Sequence, residues 1–141
     1  AEPSKDEIWQ IRTLVDTPYI TKKEEDVPMQ MKGREVFKFA VKACTEGVQN
    51  LLDEVGIDKS EVAYFMIHQA NQRIIDSIIN YMGQPAEKFP VNITDHGNSS
   101  SASCPILLDE CNRKGMFKKG DILVFSAFGA GLLSGAAIVE W

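Results

Sequence analysis

Apolar residues recur at intervals of three and four positions from Glu35 onward, a spacing that puts them on one face of a helix. They are Val36, Phe37, Ala40, Val41, Cys44, Val48, Leu51, Leu52 and Val55. Gly56 follows at once and is a common signal for the end of a helix. The pattern predicts a long amphipathic helix that packs on a sheet.

The next apolar stretch has a different pattern. Val62 to Ile67 is a continuous apolar run without alternation, as expected of a strand that is covered on both faces. A second helix is predicted directly after it, ending at Gly83, and a short strand is predicted at residues 90–93. The apolar face of that second helix consists of Ile74, Ile75, Ile78, Ile79 and Met82.

The last third of the chain predicts one more helix and a hairpin. Residues 94–105 are mostly small and polar, and a serine-rich turn of this kind can cap the helix that follows. That helix ends near Gly115 and carries Cys104, Leu107, Leu108 and Cys111 on one face. Residues 122–128 and 132–139 are predicted strands, joined as an antiparallel hairpin by Gly129-Ala130-Gly131. The whole order of elements predicts an α/β fold with a mixed sheet.

Residues 1–33 differ from the rest of the chain, because prolines and a charge cluster at residues 22–26 interrupt them. The short apolar pieces at residues 8–11 and 14–15 fit either an edge strand or a helical turn. We therefore expect an irregular lead-in over residues 1–33 and one globular domain over residues 34–141.

Composition narrows the class of protein. The chain has 141 residues, 44% of them hydrophobic and 25% charged, which fits one domain with a substantial core. The net charge of −5 arises from scattered charges of both signs, which argues against a nucleic-acid partner. No apolar run is long enough to cross a bilayer, and the first residues lack the character of a signal peptide, so no membrane association is expected.

Cysteine usage indicates a reducing compartment. The chain has three cysteines, an odd number without C-x-x-C spacing, which argues against a disulfide framework and against a zinc site. We therefore expect a cytoplasmic protein with no bound metal.

Three segments are candidates for chemistry, and each also has a purely structural interpretation. His68 follows the buried strand, at the sheet edge where open α/β folds usually hold their catalytic residues, although a strand-end histidine is also often structural. Asn98 follows Gly97 and fits an ordinary turn, and Gly129-Ala130-Gly131 fits simple hairpin geometry. None of the three is decisive alone.

Their order along the chain is more specific. His68-Gln69-Ala70-Asn71 follows one predicted strand, His96-Gly97-Asn98-Ser99 follows the next, and Ala127-Phe128-Gly129-Ala130-Gly131 occupies the hairpin. With these motifs, and from about residue 31 onward, the chain resembles the C-terminal part of the β-ketoacyl-acyl-carrier-protein synthases of the third class. These enzymes initiate fatty-acid synthesis.

The resemblance implies the C-terminal half of a thiolase-like fold and a Cys-His-Asn active site. In this family the cysteine takes an acyl group from acyl-coenzyme A, and a carbanion from decarboxylated malonyl-acyl-carrier protein then attacks it, without a cofactor. His68 and Asn98 would be the two donors that stabilise the negative charge of decarboxylation. The Ala130 N–H would form the second oxyanion site, and Arg73 would receive the acidic carrier protein. Phe128 and Gly129 would line the gate of the acyl tunnel.

The family nucleophile belongs to the N-terminal half, which these residues do not include. Cys44 and Cys111 lie on apolar helix faces and are expected to be inert, and Cys104 is expected to be structural. The expected partners are therefore that N-terminal half, an acyl-carrier protein and, in the complete enzyme, a second copy. Alone, the chain is expected to be inactive.

Two alternatives stay open at this stage. The segment from Gly131 to Gly135 lacks a tryptophan that is frequent in the family, which leaves the acyl primer undefined. Another thiolase-fold condensing enzyme, of the hydroxymethylglutaryl or alkylquinolone type, is therefore an alternative. The other is a truncated, non-catalytic fragment.

Overall fold

The computed structural model describes residues 9–10 and 30–141, with side chains from residue 31 onward. In chain order the elements are β1 (Trp9–Gln10), β2 (Gln30–Met31), α1 (Gly33–Val55), β3 (Val62–Ile67), α2 (Gln72–Met82), α3 (Ile93–His96), α4 (Ser103–Arg113), β4 (Ile122–Gly129) and β5 (Leu133–Glu140). Short 3-10 turns lie at Lys59–Glu61, Ala86–Lys88 and Ser100–Ala102.

Most of the predicted lead-in lies outside the described residues. Within it, β1 pairs with β2 in antiparallel register, so the apolar piece at residues 8–11 contributes a short strand. The piece at residues 14–15 is not described.

The two predicted helix ends at glycine are confirmed. Gly56 and Gly83 both adopt the left-handed conformation, and the N–H of each donates to a carbonyl four residues back, in Leu52 and Ile79. Glycine accepts this conformation without a Cβ clash, so each helix ends where its apolar stripe ends.

The three-stranded sheet has the order β3-β4-β5. Strands β3 and β4 are parallel, with Ile67 opposite Ser126, and β4 and β5 form the predicted antiparallel hairpin. The mixed sheet is therefore confirmed. Because β3 and β4 run in the same direction, their carboxyl ends lie at one edge.

Helices cover both faces of β3, as its unbroken apolar run predicts. Phe65 and Ile67 belong to the core cluster that α1 and α2 share with the sheet. Met66 points the other way and packs with Leu107 and Cys111 of α4. Phe65 also stacks on Phe89, with ring centroids 4.7 Å apart, which fixes the segment after α2 against the sheet.

Two local predictions are wrong. Residues 90–93 do not form a strand: the Asn92 N–H donates to the side chain of Gln69, and Ile93 begins the single helical turn α3. Helix α4 has no serine cap either, because its N-cap residue is Ala102 and no side chain bonds there. The Asn92 N–H and the Ser103 hydroxyl instead bond to residues far away in the sequence, Gln69 and His68.

Among the described helices, none combines the length and apolar character that a bilayer crossing requires.

Candidate functional site

His68 lies where its sequence position predicts, immediately after β3 at the carboxyl edge of the sheet. Its backbone N–H donates to the Ser126 carbonyl at 2.8 Å, which extends the pairing with β4 by one step. Asn71 then caps α2, since its side-chain oxygen accepts the N–H of Arg73 at 2.9 Å. The histidine is thus held between a strand end and a helix start.

The His68 ring is enclosed and contacts two side chains. Its Nδ1 atom lies 2.5 Å from Ser103 Oγ, and the Phe128 ring packs edge to face against it with centroids 5.2 Å apart. Only 7% of the residue is exposed. Burial lowers the pKa of His68, because removal from water disfavours the charged imidazolium. The ring is therefore neutral at neutral pH and carries one N–H.

Asn98 lies in the loop between α3 and α4 and is exposed. Its side-chain Oδ1 accepts the backbone N–H of Ser100 at 3.0 Å, so the amide NH₂ remains as the donor end. Ser100 itself has a positive φ of 54°, an uncommon conformation for a residue other than glycine. Strained backbone of this kind concentrates at functional sites.

The glycine hairpin joins the same edge of the sheet. Phe128 and Gly129 end β4, and Ala130 is partly exposed in the link to β5. Since β3 and β4 are parallel, this link and His68 lie at corresponding strand ends. The fold thus brings His68 into contact with Phe128 and places Ala130 beyond the same edge.

Two predicted residues lie apart from this contact. Among the hydrogen bonds of the described residues, none joins Asn98 to His68, and the connection runs through Ser103, five residues after Asn98. Arg73 is exposed in the first turn of α2, two positions after residues 68–71, the histidine segment.

A polar network that sequence reasoning missed begins at Gln69, which is 1% exposed. The Gln69 side chain donates to the Ile67 carbonyl at 2.8 Å and accepts the Asn92 N–H at 3.1 Å. A buried amide with both ends paired fixes the backbone on either side of it. Gln69 therefore fastens the residues before α3 to the histidine segment.

The network continues to the segment that carries Asn98. The Asn92 amide donates to Glu110 of α4 at 3.0 Å, and the other oxygen of Glu110 bonds the His96 ring. The bonds from His96 and Asn92 lower the pKa of Glu110. His96 lies two positions before Asn98, so its bond to Glu110 of α4 anchors the chain next to the candidate amide.

The sequence pattern placed Ser103 only in a serine-rich turn, yet the residue spacing indicates that it is buried on a helix. Ser103, Leu107 and Cys111 are spaced four apart, which puts them in one row on a helix. All three are buried. A serine in line with a buried apolar row needs a hydrogen-bond partner, and here the partner is His68.

The cysteines fit the expected inert thiols. Cys44 and Cys111 are buried, and Cys104 is partly exposed with its thiol 3.8 Å from the Met66 carbonyl. Burial raises the pKa of all three thiols, which lowers the thiolate fraction. Within the part of the chain that the structure describes, no three metal-binding side chains gather at one place.

The fold is that of the C-terminal half of a thiolase-like protein. The crystal structure of β-ketoacyl-[acyl-carrier-protein] synthase III from Thermus thermophilus matches with a TM-score of 0.85 and 33% sequence identity, covering 97% of this chain and 42% of that one. The family model for the C-terminal part of 3-oxoacyl-[acyl-carrier-protein (ACP)] synthase III matches residues 52–141. The chain belongs to this family.

Curated proteins similar to this chain are also β-ketoacyl-[acyl-carrier-protein] synthases III. β-Ketoacyl-[acyl-carrier-protein] synthase III of Clostridium novyi is 41% identical over 128 residues, which are 90% of this chain and 40% of that protein. The chloroplastic enzyme of Arabidopsis thaliana is 43% identical over 113 residues, 80% of this chain and 28% of that protein. The chain thus spans well under half the length of these relatives.

Proposed function

We propose that this chain forms the decarboxylating side of the active site in an initiating condensing enzyme. The complete enzyme joins an acyl-coenzyme A primer to malonyl-acyl-carrier protein by decarboxylative Claisen condensation. His68 and Asn98 supply two N–H donors to the malonyl thioester oxygen, and the N–H of Ala130 serves the acyl-cysteine in the condensation step.

One observation carries the proposal: both candidate donors have their opposite atoms already paired within the chain. His68 Nδ1 is held by Ser103, and Asn98 Oδ1 by the N–H of Ser100. Among the described residues, nothing bonds the imidazole Nε2 or the amide Nδ2, and both are therefore left for a ligand. Fixed donors of this kind stabilise negative charge without reorganisation during the reaction.

The chemistry needs donors and no cofactor. When the malonyl carboxylate leaves as CO₂, the electron pair of the broken C–C bond moves into the thioester as an enolate, and its charge rests on oxygen. The enolate carbon then attacks the acyl-cysteine carbonyl, and collapse of that intermediate releases the cysteine thiolate. A neutral His68 can serve the first step, because an imidazole with its proton on Nε2 donates a hydrogen bond to the developing enolate oxygen.

The nucleophilic cysteine belongs to the N-terminal half of the enzyme in this proposal. The raised pKa values of Cys44, Cys104 and Cys111 disfavour each as nucleophile, and the curated relatives are more than twice as long as the matched segment. The outer strand β5 also presents Leu133 and Val139 at its surface, with Leu133 70% exposed. In this proposal the N-terminal half packs on the apolar surface that includes these two residues.

The remaining partners follow from the same reaction. The complete enzyme acts in fatty-acid synthesis as a homodimer. It lies in the cytoplasm, or in the plastid where the relative is a plastid enzyme.

Arg73 is exposed beside the histidine segment and receives the acidic carrier protein. Arg73→Glu is then expected to raise the KM for malonyl-acyl-carrier protein about tenfold, in line with the loss of a charge pair that becomes a like-charge contact. The KM for the acyl-coenzyme A primer should not change.

Lys119→Glu is the matched control for Arg73. It reverses an exposed positive charge in the turn before β4, at the opposite end of the parallel strands from His68. Equal effects of the two variants would contradict carrier-protein docking at Arg73.

The decisive experiment separates the two half-reactions in the complete enzyme. His68→Ala and Asn98→Ala are each expected to slow malonyl decarboxylation by about a hundredfold or more. Transfer of the primer to the cysteine should continue in both. Asn80→Ala, at an exposed position on α2, is the control and should leave both steps unchanged. Full condensing activity in both site variants would refute the proposal.

Two alternatives are tested with the same material. A condensing enzyme of the hydroxymethylglutaryl or alkylquinolone type would use other extender units, so coenzyme A thioesters and acyl-carrier-protein thioesters are compared as extenders. Intact-mass analysis identifies a non-catalytic fragment, because a chain purified without a cysteine-bearing companion cannot form the acyl-enzyme.

A further inference from the structure

A neutral imidazole has a single N–H, and the nitrogen that carries it decides what His68 can do. Only the Nε2–H form presents a donor to a ligand, because Nδ1 lies against Ser103. The hydrogen bond at one ring nitrogen normally selects the proton position at the other. The partner of Nδ1 therefore bears directly on the proposed function, on which this inference rests.

The contacts of the Ser103 hydroxyl show which hydrogen bond it accepts and which one it donates. Its oxygen lies 3.3 Å from the backbone nitrogen of Gln69, whose N–H donates to it. The hydroxyl's own proton then needs an acceptor, and His68 Nδ1 lies 2.5 Å away. The hydrogen bonds of the described residues offer no other acceptor for this proton.

The opposite arrangement is less favourable. If Nδ1 carried the proton and donated it to Ser103, the serine oxygen would accept two N–H groups. Among the described residues, its own proton would then have no acceptor. Ser103 is 2% exposed, so water does not replace the missing acceptor, and an unpaired buried hydroxyl is costly.

We propose that Ser103 is a positioning residue, which donates to His68 Nδ1 and so keeps the histidine in the Nε2–H form. Ser103 does not touch the substrate in this arrangement. It acts through His68 and fixes both the proton position and the plane of the ring. Helix α4 holds the serine rigidly, since Leu107 and Cys111 pack behind it in the same buried row.

The proton position is measured directly by ¹⁵N NMR of the complete enzyme labelled at histidine, with His68→Gln used to assign the signals. We expect a protonated Nε2 and an unprotonated, hydrogen-bonded Nδ1 at neutral pH. A wild-type spectrum with the proton on Nδ1 would overturn the inference. This measurement needs no activity, so it decides the role of Ser103 even if the proposed function fails.

Kinetics give an independent test. Ser103→Ala is expected to lower kcat for malonyl decarboxylation about tenfold, the low end of the loss when a residue that orients a functional histidine is removed. Its KM, and transfer of the primer to the cysteine, should stay near wild type. Ser103→Thr keeps the hydroxyl and should recover most of the rate, whereas the exposed control Ser101→Ala should lose none.

The outcomes separate the two proposals. Equal kcat in wild type and Ser103→Ala, or a Ser103→Thr variant as slow as Ser103→Ala, would refute the positioning role. If the wild-type enzyme does not decarboxylate malonyl thioesters at all, the proposed function fails instead.

Discussion

The Phe128 ring and the His68 imidazole meet edge to face, with centroids 5.2 Å apart and planes at 72°. Phe128 is the next-to-last residue of β4, and His68 directly follows β3. Both are buried, so the aromatic ring keeps water from one side of the histidine. Burial lowers the pKa of His68, and we attribute part of that desolvation to this contact.

Phe128→Ala is expected to raise the pKa of His68 toward its ordinary value, because water then reaches the ring. The cavity should also cost about 3–5 kcal/mol of stability. NMR titration of the His68 ring in the complete enzyme measures the pKa, and urea unfolding measures the stability. Phe128→Leu keeps an apolar cover and should retain most of the pKa depression. An unchanged pKa in Phe128→Ala would assign the desolvation to other groups.

The Gln69 side chain uses both ends of its amide, as donor to Ile67 and acceptor from Asn92. Gln69→Glu removes the donor and sets a carboxylate against the Ile67 carbonyl in a buried place. We expect a loss of about 2 kcal/mol or more in the free energy of unfolding, because a buried carbonyl loses its partner and a charge is buried. Urea unfolding of the complete enzyme at neutral pH is the measurement.

Gln72→Glu is the matched control for this variant. It makes the same chemical change three residues further on, at an exposed position where the Gln72 side chain bonds, within the described part of the chain, to Asp76 alone. We expect a change within about 0.5 kcal/mol. If both variants lost stability equally, the buried network would have no special role.

The pairing of Glu110 with His96 and Asn92 makes part of the stability dependent on pH. The pKa of Glu110 is lower in the folded chain than its ordinary value of 4.5, so the charged carboxylate favours folding. This contribution is fully present above pH 4.5 and is lost as the pH falls through the folded pKa. Glu110→Gln should therefore be less stable than wild type at neutral pH and approach it in acid.

Urea midpoints at several pH values in the complete enzyme test this expectation. Asp109→Asn is the control, since the side-chain partner of Asp109 among the residues described is the exposed Arg113 one turn later. An exposed pair of this kind contributes little, so the control should differ from wild type by less than about 0.5 kcal/mol at any pH. A stability deficit of Glu110→Gln that did not shrink in acid would contradict the assigned role of the carboxylate.

Much of the fold was predictable from the sequence because burial leaves a periodic trace. The unbroken run of Val62–Ile67 predicted a strand covered on both sides, and α2 on one face and α4 on the other cover it. The hairpin at Gly129-Ala130-Gly131 was predictable for a similar reason, since turn residues separate two apolar runs. Local pattern was sufficient in both places.

The wrong strand at residues 90–93 has a non-local cause. Its composition suits a strand, but the Asn92 N–H bonds to Gln69, 23 residues earlier. The contact between Ser103 and His68 spans 35 residues and was likewise missed. Family resemblance proposed His68 and Asn98 as candidates, whereas the contacts of these two side chains depend on how separate segments of the chain meet.

The hairpin link depends on Gly131, whose φ of +105° is strained for any residue with a side chain. A Cβ at this position would also lie 3.2 Å from Leu133 Cγ. Gly131→Ala should lower the free energy of unfolding by about 1–2 kcal/mol. It should also displace the N–H of Ala130, and condensation should then slow more than primer transfer. Urea unfolding and the two half-reactions in the complete enzyme measure these effects. Gly135→Ala in β5 is the control, because its φ is not positive and a Cβ there meets no atom within 4 Å. If the two alanine variants behave alike, the link does not require a glycine and the role of Ala130 loses this support.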